Sequence, residues 1–516
     1  MSEWTQDHTA ALEYPTTYFA ELNPALLAPM LANKQLQAPA RVVHACELGY
    51  GTGLSAVIHA SASAVQWWGT DYNPAHAQFA ATLAEQAGVL THLADQSFEE
   101  FFQRPDLPDF DFIALHGVWS WVSDANRTLL VDFLHRKLRP GGVVYLSYNT
   151  LPGHAQMLPV RNLMKCYLDH LTPQGLDEVQ RAQTAYQFVQ TLMDANPQLC
   201  AVHPLAKRTM DDLLQRQTSS YLNHEYLVQH WTPMSFCQVF DALQPAKLKF
   251  ACSATPVHHT DAHFLIDSQR ALLASITHFS TRETTRDFLV NRQFRQDYWV
   301  KGGLPLSPAR AQEALLQTRV VLIQTPAQAS ASVAQAVFQN TIAQPLFGVL
   351  VDTLAQGGVQ TIATLVAAAA QHGIAQAEAE AVQAVIKLIG NGSVAVAQDE
   401  ATIAQVSPRV MRLNAAICAQ ARHSPNIGYL ASAVTGGGVP VGQLQQQFLA
   451  YRNEGLAHAP DWTRAMVQQL ISAGLQLIKN GALLAPGDAT HAHLLELATQ
   501  FETTELPLLK RLGCVP

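Results

Sequence analysis

Three carboxylates recur at even spacing near the start of this 516-residue chain: Glu47, Asp71 and Asp95, 24 residues apart at each step (71 − 47 and 95 − 71). The first leads the run Glu47-Leu48-Gly49-Tyr50-Gly51-Thr52-Gly53. Glycines at alternate positions allow positive φ and let the backbone approach a ligand closely. An acid directly ahead of such a loop repels a pyrophosphate and suits a sulfonium or an amino group. Asp71 offers two oxygens to a pair of vicinal hydroxyls, and Asp95 can accept from an exocyclic amine. Capping of the helices that follow is the competing role for each acid. A second chemically capable group follows: His116, Trp119 and Trp121, then Tyr148 and Asn149. His116 alone among them has a reference pKa near neutrality, so it can accept a proton, hold a ligand or simply cap a strand. The aromatic rings can attract a cation, an effect worth about 0.5–2 kcal/mol, or they can be core. If 119–121 is extended, both indoles point the same way. Tyr14 and Tyr18 are spaced to share one helix face, which could fold over the ligand or pack.

These groups need strands that end at each of them. The stretches 42–48, 65–71, 90–94, 110–116 and 143–148 read as strands, and 54–63, 74–87 and 124–138 as helices. Pro74 suits the first turn of its helix, and Pro140-Gly141-Gly142 closes the third. Strands alternating with helices predict a parallel sheet covered on both faces. Ahead of it, 14–31 reads as an irregular arm with short helical pieces, broken by Pro15, Pro24 and Pro29. Beyond Asn149 the chain turns mostly helical over 156–250. The stretches 248–255 and 263–267 read as a late strand pair that could complete the sheet. Arg282, Arg286, Arg292, Arg295 and Lys301 make 282–301 locally basic, and 302–308 reads as a linker. From 310 onward the chain is rich in Ala and Gln. A helix–helix–strand pattern at 340–400 and again at 440–490 suggests a winged-helix-like unit, which could be duplicated.

Two ligands compete for the glycine loop: a dinucleotide and S-adenosylmethionine. The dinucleotide fingerprint wants G-x-G-x-x-G, with the pyrophosphate on the helix N-terminus. The spacing here is G-x-G-x-G behind an acid. With Asp71 and Asp95 at successive strand ends, the region 40–150 resembles the class I S-adenosylmethionine-dependent methyltransferases. Tyr50 stands where a small residue or Cys is common. The resemblance implies a Rossmann-like sheet. It also implies that S-adenosyl-L-methionine is held by Glu47, Gly49, Gly51, Gly53, Asp71, Asn73, Asp95 and Gln96, with His116, Trp119, Tyr148 and Asn149 as the catalytic candidates.

A narrower likeness rests on Leu115-His116-Gly117-Val118-Trp119-Ser120-Trp121-Val122 and on Tyr145-Leu146-Ser147-Tyr148-Asn149-Thr150-Leu151-Pro152-Gly153-His154. It continues through Tyr221-Leu222-Asn223-His224-Glu225-Tyr226-Leu227, Trp231-Thr232-Pro233 and Asn291-Arg292-Gln293-Phe294-Arg295. Over residues 10–305 the chain looks like bacterial methyltransferases that carry a methyltransferase regulatory domain, among them protein-lysine methyltransferases of outer-membrane proteins. The organisation expected is an arm at 1–36, a cofactor domain at 37–155, a helical insertion plus regulatory domain at 156–305, and a mainly helical C-terminal domain at 306–516. The function implied is N-methylation of lysine in a protein substrate. A small-molecule methyltransferase and a non-catalytic scaffold are the alternatives.

Composition bounds the partners. Lys+Arg is 32 and Asp+Glu is 40, a net charge of −8, against the cationic excess that nucleic acid requires. Residues 1–170 carry 9 basic and 16 acidic side chains, so nearly all of that excess lies in the first third, where it can attract a cationic partner or serve solubility. Seven cysteines without a CxxC fit a reducing, cytoplasmic setting better than a disulfide framework. No apolar run is long enough to span a membrane. His258, His259 and His263 come closest to a metal cluster but lack a carboxylate to complete it, so no metal is expected. A homodimer is compatible with the large C-terminal part. Arg161 can pair with an acid or with a cofactor carboxylate.

Overall fold

The computed structural model describes residues 16–516 apart from 174, 217–229, 336–341, 425, 480, 481, 485 and 486. Tyr14 and the 221–227 motif lie outside the described residues.

The main element is a seven-stranded sheet. Its strands are β1 (His44–Leu48), β2 (Gln66–Thr70), β3 (His92–Ala94), β4 (Phe110–Leu115), β5 (Leu138–Asn149), β6 (Leu248–Ser253) and β7 (Phe294–Lys301). They stand in the order β3-β2-β1-β4-β5-β7-β6. β1 to β5 pair in parallel, while β7 runs antiparallel to both β5 and β6. Strand order reverses between β1 and β4, and that reversal opens a crevice beyond the carboxyl ends of the strands. Every residue of β4 is buried, as expected for a strand covered on both faces.

Helices α1 (Leu27–Ala32), α2 (Leu54–Ala62), α3 (Pro74–Ala87), α4 (Phe98–Phe102) and α5 (Asp124–Lys137) flank this sheet. Asn73 caps α3, its side chain accepting from Ala75 N–H with Pro74 in the first turn. The sheet has two distinct cores. One face carries Ala45, Trp67, Phe112, Tyr145 and Tyr298, covered by Leu22, Leu27, Met30 and Leu31 of the N-terminal arm. The other carries Leu48, Ile113, Leu146, Tyr148 and Trp299, covered by α4, α5 and the helix Phe236–Leu243.

Two expectations need correction. The partner of β6 is β7, not 263–267; Asp261–His263 is a 3-10 turn and Asp267 starts a helix. β7 comes from the basic stretch because Arg295 and Asp297, two apart on one face, neutralise each other in the core. Pro140-Gly141-Gly142 lies inside β5, where the register with β4 shifts between Phe110 and Phe112. A break at 155 therefore divides the chain but not the sheet, which β6 and β7 complete.

Beyond 306, β8 (Arg319–Leu322), β9 (Gln360–Thr361) and β10 (Val394–Val396) form an antiparallel sheet in the order β10-β8-β9. Helices Gln344–Gly357, Ile362–Gln371 and Ala377–Gly390 lie between its strands in sequence. The later stretch instead has helices Gln443–Asn453 and Ala459–Ala473 followed by a two-stranded hairpin, so the two stretches differ in element order. The helix Glu400–Gln420 docks this body on the cofactor domain. Arg409 Nε donates to Ser61 O at the end of α2 (2.8 Å), and Arg412 Nε to Ala87 O at the end of α3 (3.0 Å).

Candidate active site

The loop from β1 into α2 turns on three left-handed glycines: Gly49, Gly51 and Gly53 have φ of 73°, 57° and 72°. A Cβ on Gly49 would stand 2.5 Å from Val118 Cγ2, and one on Gly53 2.8 Å from Ala80 Cβ. The loop is pinned to β2, with Gly49 N–H donating to Thr70 O (2.8 Å) and Gly51 N–H to Asp71 Oδ2 (2.9 Å). Tyr50 replaces a small residue by filling the space itself. Its hydroxyl donates to Ala94 O at the end of β3 (2.9 Å), and it closes on Gly53 and Gly69.

Glu47, Asp71 and Asp95 stand at the carboxyl ends of β1, β2 and β3, three adjacent strands. Glu47 is 2% exposed, and its Oε2 is buried without a hydrogen-bond partner among the described residues. Burial, with the Asp71 charge second, pushes its pKa up to about 8, so the carboxyl is largely protonated at neutral pH. Asp71 Oδ1 accepts from Asn73 N–H (3.0 Å) and lies 3.1 Å from His76 Nδ1. The Asn73 side chain is committed to its helix cap. Asp95 is exposed. Next to it, Gln96 accepts from Thr70 Oγ1 through its carbonyl, and its side-chain Oε1 is buried without a partner among the described residues. Unsatisfied acceptors at Glu47 and Gln96 suit a ligand that brings hydrogen-bond donors, which a pyrophosphate does not. These residues fit S-adenosylmethionine: Glu47 would meet its cationic end, Asp71 the ribose, and Asp95 and Gln96 the adenine.

On the far side of the switch point, His116 follows β4 and its Nδ1 lies 2.8 Å from the Tyr145 hydroxyl. Gln296 Nε2 donates to that same oxygen (3.1 Å), and a phenolic hydrogen given to Nδ1 would put the imidazole proton on Nε2. Burial lowers the His116 pKa to about 4, so the ring is neutral. Phe19 of the arm stacks on it at 3.6 Å, and Phe294 meets it edge-on at 6.1 Å. Phe19 N–H in turn donates to Ser55 Oγ in α2 (2.9 Å).

The other expected groups divide by face. Asn149 shares the Tyr145 face of β5, because side chains two and four apart point the same way. Its Nδ2 is buried and unpartnered among the described residues. Tyr148 points to the opposite face: it is 0% exposed, and its hydroxyl donates to Asp297 Oδ2 (3.3 Å). Trp119 is also 0% exposed, packed in that same core. Residues 119–121 form a turn, so the indoles are not paired by strand alternation. Tyr18 packs on Gly437 and Gly438 and lies 5.2 Å from His59, away from the loop. Arg161 lies over the Trp231 ring at 5.6 Å. His258 and His259 are half-buried in a 3-10 turn, and no group of three metal-ligating residues occurs among the described residues. Tyr145, Gln296 and Phe19 were missed. Period-two counting along 143–149 would have separated Tyr145 and Asn149 from Tyr148.

The strand order and this loop define a class I S-adenosylmethionine-dependent methyltransferase. Residues 45–142 match the family model of a methyltransferase domain, and 218–301 that of a predicted methyltransferase regulatory domain. The chain is 32% identical over 518 residues to the uncharacterized protein sll1526 of Synechocystis sp. (strain ATCC 27184 / PCC 6803 / Kazusa), covering 99% of each. It belongs to that family, methyltransferases with a regulatory domain. It is 26% identical over 190 residues to the uncharacterized protein RP789 of Rickettsia prowazekii (strain Madrid E), covering 36% of this chain and 33% of that one. Its fold is that of PKMT2 from Rickettsia typhi, solved in complex with AdoHcy. The TM-score is 0.70 at 17% identity, covering 97% of this chain and 100% of the other. No helix among the described residues is long and apolar enough to cross a membrane.

Proposed function

We propose that this methyltransferase N-methylates lysine side chains of a protein substrate. The observation that carries the reading is the aromatic, desolvated group of Phe19, His116, Tyr145 and Phe294 beside the cofactor loop. Aromatic faces attract an ammonium, and burial then favours its neutral form, which is the nucleophile. S-adenosyl-L-methionine supplies a methyl group on a sulfonium. The neutral amine held beside His116 would be the methyl acceptor, and the proton of the product ammonium would leave to solvent. His116, neutral and protonated on Nε2, and Asn149 with its spare amide hydrogens orient the acceptor; positioning supplies much of the acceleration. Tyr148 and Trp119 support this surface from behind the sheet. The extensive chain beyond 306 suits recognition of a protein, and the similar fold of a protein named PKMT2 agrees with the assignment.

Labelled-methyl transfer onto a cell lysate, with mass spectrometry of the products, tests it. Methyl-lysine in protein is expected; label confined to small molecules overturns the reading.

A further inference from the structure

A cavity of about 220 Å³ opens between the free edge of the sheet and the helix Phe279–Leu289, lined by Lys34, His258, Arg286 and Arg292 and by the carboxylates Asp261, Glu283 and Asp297. Except for Lys34 of the arm, these residues fall in the stretch that matches the regulatory-domain family. β7 is three strands from β1, about 14 Å at ordinary strand spacing, so the cavity is separate from the cofactor loop.

Its charges balance but its hydrogen bonds do not. Asp261 accepts both of its bonds from Arg286 (2.9 Å each), and Glu283 also accepts from Arg286. Asp287 and Asp297 each take two bonds from Arg295. Two arginines thus occupy all four carboxylates. Arg292 is ion-paired with Asp287, its Nε 2.9 Å from the oxygen that Arg295 also holds. Its Nη1 lies 3.1 Å from both ring nitrogens of His258, which as a neutral ring has a single acceptor. At the mouth, the Lys34 ammonium donates to one carbonyl, that of His259 (2.8 Å). N–H groups of Lys34 and Arg292 therefore face one cavity, beside carboxylates that are each already paired with an arginine. The field agrees: burial first, then Arg292, Arg295, His259 and Arg286, lower the His258 pKa to about 3.

We propose that this cavity binds a small oxyanion, a carboxylate or phosphate group, between Lys34 and Arg292. Its wall leads back to the acceptor site. Ser253 Oγ donates to Gln296 O (3.2 Å) and Thr255 Oγ1 to Gln296 Oε1 (3.1 Å), while Gln296 Nε2 holds the Tyr145 hydroxyl beside His116.

Calorimetry and thermal shift on the full chain, with inorganic phosphate and succinate as probes and chloride at matched ionic strength as control, test the site. Saturable binding of phosphate or succinate, weakened at least tenfold in Lys34→Gln and in Arg292→Gln, is expected, and the tighter probe names the class. Arg292→Gln is read only if its circular dichroism is native; otherwise the rim variant Lys34→Gln decides. Equal stabilisation by chloride, binding of neither probe, or unchanged affinity in Lys34→Gln overturns the proposal.

Discussion

The Tyr145 hydroxyl lies 2.8 Å from Nδ1 of His116, and Gln296, which arrives on β7, donates to the same oxygen. The pair joins the end of β4 to the middle of β5, and a tyrosine hydroxyl donating to Nδ1 would hold the imidazole proton on Nε2. Tyr145→Phe leaves a buried ring nitrogen without a donor, at a cost of about 1–3 kcal/mol. The expected outcome is a kcat lower by about tenfold, equivalent to ~1.4 kcal/mol, with cofactor affinity unchanged. Steady-state kinetics beside calorimetry separate the two, and a loss confined to cofactor affinity would place Tyr145 in the wrong site.

Glu47 should make stability fall as pH rises. Its folded pKa, about 8, lies above the unfolded carboxyl value, so the folded state holds a proton that the unfolded state has lost. Its contribution is full below about pH 4.5 and is lost progressively up to about 8. A thermal-denaturation series from pH 6.5 to 8.5, above the range in which the histidines act, checks this, and Glu47→Gln should flatten the slope. A cationic ligand beside Glu47 favours its charged form. Cofactor binding near neutrality is therefore expected to release a fraction of a proton, measured as a buffer-dependent enthalpy that the same variant abolishes.

The histidines predict the opposite slope at acid pH. Burial lowers the pKa of His59, His116 and His154 to about 4. The unfolded chain takes up these protons first, so stability is full above about pH 6.5 and is lost as pH falls toward 4. A midpoint that does not fall between pH 6.5 and 4.5 would show that these rings are solvated.

Asp71→Ala removes a carboxylate that holds Gly51 N–H and Asn73 N–H as well as any ribose. Cofactor affinity should weaken by about 1.5–3 kcal/mol, the worth of hydrogen bonds to a charged group. Calorimetry giving wild-type affinity would rule out the ribose role.

Arg295 is 5% exposed and holds Asp287 and Asp297 in the core, with Phe236 4.5 Å from its guanidinium carbon. Arg295→Gln strands buried carboxylates and should destabilise by about 3–5 kcal/mol. Urea unfolding reads the loss, and a change under 1 kcal/mol would mean that the acids take up protons or water instead.

The amino-acid sequence by itself determined the cofactor half of this protein. Glu47, the three glycines, Asp71 and Asp95 are placed by short strand–loop–helix units, whose geometry depends on neighbours a few residues away. Left-handed φ at Gly49, Gly51 and Gly53 is a local requirement that shows in the spacing itself. The acceptor half was legible only as a neighbourhood. His116 and Asn149 were in view, but the sides taken by Trp119, Tyr145 and Tyr148 depend on strand register and on which layer covers each face. Those were decided by β7, whose Gln296 and Asp297 arrive about 150 residues after the tyrosines they meet. The oxyanion cavity is further still from local sequence, since Lys34 and Arg292 come together only when the arm closes over the completed sheet. Pairing at such separation is selected by the packing of the whole chain, and no short window of residues records it.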